Sequence, residues 1–244
     1  MRIPRGFSLT REVEDILIAD AALTIGFALV LSGGVFGVSS LGFILMLPIA
    51  FVAVSLSFVL HELMHKFVAQ RFGAIAAFRK SDYGIIITLI TSVFGFLIGL
   101  VGATVIYAPH FTRREEGYVS LAGPLTNFAV FAVFFVLGSI AFNGFSQNFL
   151  SALQTTSLTA GTYLRAVVGF TVFISIYLAF FNMLPIMPLD GSKVLRWSKP
   201  VYFTVMAVIF VLLFMITGLA LIPSLVFILI IALVLSMVYR SIIF

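Results

Sequence analysis

The chain has 244 residues, 62% of them apolar and only 9% charged, with 14 Lys plus Arg against 9 Asp plus Glu for a net charge of +5. Soluble domains carry roughly 25% charged residues, so this composition excludes a water-soluble fold and indicates an integral membrane protein. There is no Cys, which excludes a disulfide framework and a thiolate metal site; any bound metal has to use His, carboxylate or carbonyl ligands.

The apolar residues run continuously, as membrane helices require, instead of alternating as in an outer-membrane barrel. Basic residues flank these runs and do not line one polar face, so a bilayer is the expected partner and nucleic acid is not. Residues 1–15 carry both signs (Arg2, Arg5, Arg11, Glu12, Glu14, Asp15) and do not read as a cleaved signal peptide. Apolar runs follow at residues 16–38, 41–70, 84–108, 118–142, 164–185, 201–219 and 222–238. Each is about 20 residues or more, enough for ~30 Å of hydrocarbon.

The charges argue that one run does not cross. With Arg2, Arg5 and Arg11 in the cytoplasm, the second run delivers Lys66, Arg71, Arg79 and Lys80 to the same side, as the positive-inside rule asks. A crossing at 84–108 would then put Arg113, Arg114, Lys193, Arg196 and Lys199 outside. A re-entrant or β-hairpin segment between helices 2 and 3 returns them, and Arg240, to the interior. Gly84, Gly95, Gly99, Gly102 and the β-branched run 85–88 also weaken that segment as a helix. The expectation is an all-α polytopic membrane protein of about six transmembrane helices, with both termini cytoplasmic. It is read as one domain over residues 1–244, with a core at about 41–196 and no PDZ-like or other soluble domain.

The second run contains His61, Glu62, His65 and Lys66, although a charged side chain at mid-span costs roughly 2.5–3.5 kcal/mol. His61 and His65 are one helical turn apart and face one ion from the same side. The spacing is the H-E-x-x-H zinc pattern, in which the intervening carboxylate, here Glu62, serves as general base. A catalytic zinc takes three protein ligands and leaves one position open. The best third candidate is Asp190, the only acidic residue between Glu116 and the carboxy terminus. Under the six-span topology Asp190 emerges level with His61; under seven spans it would face the opposite side.

Pro185 and Pro188 leave backbone groups open to a substrate, and Gly191 permits the turn that aims Asp190 at the ion. Asn127 and Asn182 are amides inside apolar runs and are candidates for hydrogen-bonding a substrate carbonyl or its oxyanion. Interhelical packing is the alternative for Asn127. His110, beside Arg113 and Arg114, reads as an interfacial side chain.

Three ordered segments carry a family resemblance: His61-Glu62-Leu63-Met64-His65; Ser120-Leu121-Ala122-Gly123-Pro124-Leu125-Thr126-Asn127; and Asn182-Met183-Leu184-Pro185-Ile186-Met187-Pro188-Leu189-Asp190-Gly191. The sequence resembles the site-2 protease family of intramembrane zinc metalloproteases. The resemblance implies His61, His65 and Asp190 as ligands of one Zn²⁺, Glu62 as the catalytic carboxylate and Asn182 as a substrate-contacting group. It also implies a cytoplasm-proximal active site reached by water through a polar channel. Ser192 stands where the family often has a second Gly, and the stretch between His65 and Ala122 is longer and more apolar than in compact members.

The function expected is peptide-bond hydrolysis in transmembrane segments of substrate proteins, as in regulated intramembrane proteolysis, in a prokaryotic cell membrane. The substrate helix has to unwind, and extended segments near residues 85–88 and 185–188 are expected to bind it by edge pairing. The rivals are a membrane metal-ion transporter, in which His and Asp form a transit site, and a catalytically silent relative. Glu62 favours hydrolysis, because a transit site has no need of a base.

Overall fold

A computed structural model of the chain describes residues 8–34, 39–143 and 159–218. In chain order the elements are α1 (Leu9–Leu31), α2 (Ser40–Val54), a π turn (Ser55–Val59), α3 (Leu60–Arg71), β1 (Ile75–Lys80), α4 (Asp82–Val93), β2 (Gly102–Tyr107), α5 (Arg113–Ala141), α6 (Ala160–Asn182), α7 (Asp190–Trp197) and α8 (Lys199–Thr217). Most helix starts are capped by a hydroxyl, as at Ser8, Ser39, Ser81, Thr159 and Ser198, and Thr112 with Glu115 forms a capping box before α5.

Among the described residues four helices are long and apolar enough to cross a membrane: Leu41–Arg71, Arg113–Ala141, Ala160–Asn182 and Lys199–Thr217. The molecule is thus mainly helical, as expected. α1 has the length to cross, but Arg11, Glu12, Glu14, Asp15 and Asp20 interrupt it. The expected run at 222–238, with Arg240, lies outside the described residues, as do Arg2 and Arg5.

α2, the π turn and α3 form one rod. The π turn falls on Ser55 and Ser57, whose hydroxyls leave the rod sideways: Ser55 Oγ donates to Asp20 Oδ2 of α1 at 2.9 Å, and Ser57 Oγ lies 2.7 Å from Ser175 Oγ of α6. A wider turn re-phases every residue after it, and His61 follows two residues later. α6 runs through the centre. Phe170 and Ile174 pack with Ala19, Ile49, Ala53 and Val101 on one side, while Val172, Ile176 and Ala179 pack with Phe131, Val194 and Leu213 on the other.

The segment 84–108 is resolved into three parts, and here one expectation is corrected. Residues 85–88, expected to be strand-capable, lie inside α4. β-branching costs a helix well under 1 kcal/mol per residue, and the Ser81 cap together with packing on α1 outweighs it. At 12 residues α4 is about 18 Å long, short of the hydrocarbon thickness.

The chain reverses near Gly95 (φ +86°) and returns along α4. Thr88 Oγ1 donates to Ile98 O at 2.7 Å and accepts from Leu100 N–H at 3.2 Å, and Thr91 Oγ1 accepts from Ile98 N–H at 3.2 Å. Threonine hydroxyls thereby satisfy backbone that no helix satisfies, a requirement wherever lipid excludes water. The return ends in β2, antiparallel to β1 in the register Ile75↔Tyr107 to Lys80↔Gly102. The rings of Phe72 and Phe111 also meet edge-on at 6.3 Å, so the end of α3 and the start of α5 are neighbours.

Two carboxylates that the sequence places in apolar surroundings are paired with cations. Glu12 (4% exposed) binds Lys66 Nζ at 2.6 Å, and Asp15 (6%) binds Arg79 Nη1 at 3.2 Å. These pairs tie α1 to α3 and β1 and supply the counter-charges that burial demands.

Candidate metal centre

His61 and His65 lie on the face of α3 turned toward α5, 2% and 7% exposed. Their Nε2 atoms are 3.0 Å apart. Asp190, the first residue of α7, brings Oδ2 to 3.4 Å from His61 Nε2 and 3.1 Å from His65 Nε2. All three expected ligands therefore meet, drawn from residues far apart in the chain.

α5 is the template that brings them together. Along one of its faces, Glu116 accepts from Arg196 Nη2 of α7 at 3.2 Å, and Gly117 leaves room for the Trp197 ring. Val119 O lies 2.7 Å from His65 Nδ1, and Asn127 Nδ2 lies 3.1 Å from His61 Nδ1. Gly123 lies over the ligands: a Cβ there would meet His65 Nε2 and would stand 2.6 Å from His61 Nε2. On the far side, Gly191 packs against the Met183 and Leu184 carbonyls, where a Cβ would lie 2.6 Å from Leu184 O. The turns between α6 and α7, such as Ile186 N–H to Leu184 O and Leu189 N–H to Ile186 O, both 2.8 Å, fold the Pro-containing segment under Asp190.

The donor set fits zinc. Bond lengths of ~2.0–2.2 Å at tetrahedral angles place neighbouring ligand atoms roughly 3.3–3.5 Å apart, and the three observed separations are 3.0, 3.1 and 3.4 Å. Two imidazoles and one carboxylate leave a fourth position open. His65 Nδ1 faces a carbonyl, which only accepts, so its proton sits on Nδ1 and Nε2 keeps its lone pair for a metal.

Glu62 is half-buried and faces the sheet. Its Oε2 accepts from both the N–H and Oγ1 of Thr104, each at 2.8 Å, while Thr104 Oγ1 is also 3.0 Å from Glu62 O. Phe78 and Thr104 are register partners, and Phe78 N–H donates outward to Glu12 Oε1 at 3.1 Å. This is a pair whose amides point away from each other, so the Glu62 carboxylate lies on the outer edge of β2. Sequence reasoning missed Thr104; the only trace of it is the polar residue within the β-prone stretch Thr104–Val105–Ile106–Tyr107.

The two expected amides fall in different places. Asn182 closes α6, half-buried, with Nδ2 donating to Leu178 O at 3.0 Å. Asn127 is completely buried behind His61, on the side of the ring away from Asp190. His110 is exposed in the turn before α5.

Against known proteins, the family model described as peptidase family M50 matches residues 49–222, which hold every residue of the centre. "Putative zinc metalloprotease MJ0611" from Methanocaldococcus jannaschii is 40% identical over 156 residues, covering 64% of this chain and 73% of the relative. "Putative zinc metalloprotease YwhC" from Bacillus subtilis is 26% identical over 168 residues, covering 64% of this chain and 71% of the relative. No solved structure matches the chain.

Proposed function

This chain belongs to peptidase family M50, and we propose that it is a zinc endopeptidase that cuts peptide bonds within transmembrane segments of other proteins. The observation that carries this reading is the meeting of His61 and His65, on a membrane-length helix, with Asp190 from α7, and a carboxylate one residue from the first histidine. Zinc held there supplies a Lewis acid that polarises the scissile carbonyl and acidifies the attacking water. Glu62 takes the proton of that water and delivers it to the nitrogen of the departing amine.

A helix hides its carbonyls, so the substrate has to enter extended. The outer edge of β2 offers the outward-pointing groups of Gly102 and Ile106 for strand addition, on either side of Thr104, whose N–H already donates to Glu62. Because Glu62 touches that edge through Thr104, a chain laid along β2 passes the base within hydrogen-bonding reach. Asn182, at the start of the 183–189 turns, is assigned to the substrate backbone, where its Oδ1 could accept from an N–H while Nδ2 donates to Leu178 O.

In this reading the 84–108 segment re-enters from the cytoplasmic side, six helices cross, and both termini are cytoplasmic in a prokaryotic cell membrane. The pairing of Lys80 with Gly102 and the contact of Phe72 with Phe111 support it, since they keep Arg71, Lys80 and Arg113 on one side. Transit of metal would require further ligands along a path. His61, His65 and Asp190 form the one such group among the described residues.

The test is cleavage of a transmembrane-helix reporter by the purified full chain in proteoliposomes. Cleavage is expected to stop when a zinc chelator is added and to resume when zinc is restored. Turnover that ignores the chelator would contradict the reading, and so would a zinc-loaded chain that binds reporter helices without cutting any.

A further inference from the structure

The two histidines are held by different kinds of partner. His65 Nδ1 faces the Val119 carbonyl at 2.7 Å, which fixes its proton on Nδ1. His61 Nδ1 faces a carboxamide, Asn127, at 3.1 Å, and a carboxamide has one end that donates and one that accepts. With Nδ2 toward the ring, as here, Asn127 donates to Nδ1. A neutral His61 then carries its proton on Nε2, directed at His65 Nε2 (3.0 Å) and Asp190 Oδ2 (3.4 Å). That arrangement occupies the lone pair a metal needs.

Nothing else fixes the amide. Asn127 has no exposed surface, and its Oδ1 has no hydrogen-bond partner among the described residues. The two ends of a carboxamide are nearly the same size, so a half-turn changes no packing; its sense is set by the ring alone.

We propose that Asn127 is the positioning residue of His61: when zinc is held, its carboxamide turns so that Oδ1 accepts from Nδ1–H, which fixes the ring orientation and frees Nε2 as ligand. His65 needs no such partner, because the Val119 carbonyl already fixes its proton on Nδ1. This rests on the zinc reading above and assigns Asn127 to the ligand, not to the substrate oxyanion. Groups behind a ligating histidine typically contribute 10–100-fold in metal affinity.

The test measures zinc affinity of the purified full chain in micelles, by competition with a chromophoric chelator, for wild type, Asn127→Leu and Asn127→Asp. Leu fills the same space with no acceptor and is expected to weaken zinc by about 10–100-fold. Asp offers an acceptor in every orientation and is expected to match or exceed wild type. An amide needed as a buried donor makes Asp as damaging as Leu, and that result overturns the proposal, as does a Leu variant with wild-type affinity. Should either variant fail to fold, wild type suffices. The chain has three His, so ¹⁵N-histidine NMR of the zinc-loaded protein resolves the His61 ring, expected with Nδ1 protonated; an unprotonated Nδ1 overturns the proposal. Wild type that binds no zinc at all would instead remove the metal reading on which this one stands.

Discussion

Exchange of Glu62 for Gln is expected to lower turnover of a transmembrane reporter by about 10²–10⁴-fold, the usual contribution of a positioned general base, with zinc still bound at wild-type stoichiometry. The substitution preserves shape and keeps an acceptor oxygen for the Thr104 N–H, now made at 2.8 Å, so the α3–β2 contact survives. What disappears is the ability to take a proton. The proposed ligand atoms belong to His61, His65 and Asp190 and are untouched. Cleavage rates and zinc content measured on the same preparation separate the two roles. Undiminished cleavage would remove Glu62 from the chemistry, and lost zinc would make it a structural part of the centre.

Gly123→Ala is expected to weaken zinc by roughly 10–100-fold, the equivalent of the 1–3 kcal/mol that overpacking a close-packed site costs. A methyl group at this position meets Nε2 of both histidines, within 2.6 Å for His61, so it enters the space an ion needs. α5 cannot withdraw easily, because Trp197 against Gly117 and the Arg196–Glu116 pair hold it to α7. Gly99→Ala is the matched control: its nearest neighbours would be side-chain atoms of Leu23 and Leu97 at 3.4 Å, close to ordinary contact. Zinc titration of the two variants checks the prediction, and equal affinity in both would show that Gly123 is not part of the cradle.

What could be read from the sequence follows from how locally each feature is encoded. The i, i+4 spacing of His61 and His65 needs only a helix to have meaning, and Asp190 stood out because acidic residues are so scarce after Glu116. Arg113 and Arg114 argued against a simple crossing at 84–108, and β1, just before that segment, pairs with β2 at its end. Its internal form was not legible. Strand pairing between residues 75–80 and 102–107 is non-local, and a β-branched run at 85–88 becomes helix once Ser81 caps it and α1 covers it.

The supports of the centre were equally hidden. Thr104 reaches Glu62 only through that non-local pairing, and Val119 acts through a carbonyl every residue possesses. Gly123 matters because of what approaches it. Asn127 was visible as a buried amide, but only the fold shows which atom it faces: the far nitrogen of His61.

The most direct test of the central claim is zinc X-ray absorption and metal content on the purified chain, wild type beside Asp190→Ala. The account predicts one zinc per wild-type chain, with two nitrogen ligands and at least one oxygen at about 2.0–2.2 Å, and loss of that zinc in the variant. Full occupancy and an unchanged spectrum in Asp190→Ala would contradict it, because the carboxylate that joins α7 to the two histidines would then not be a ligand.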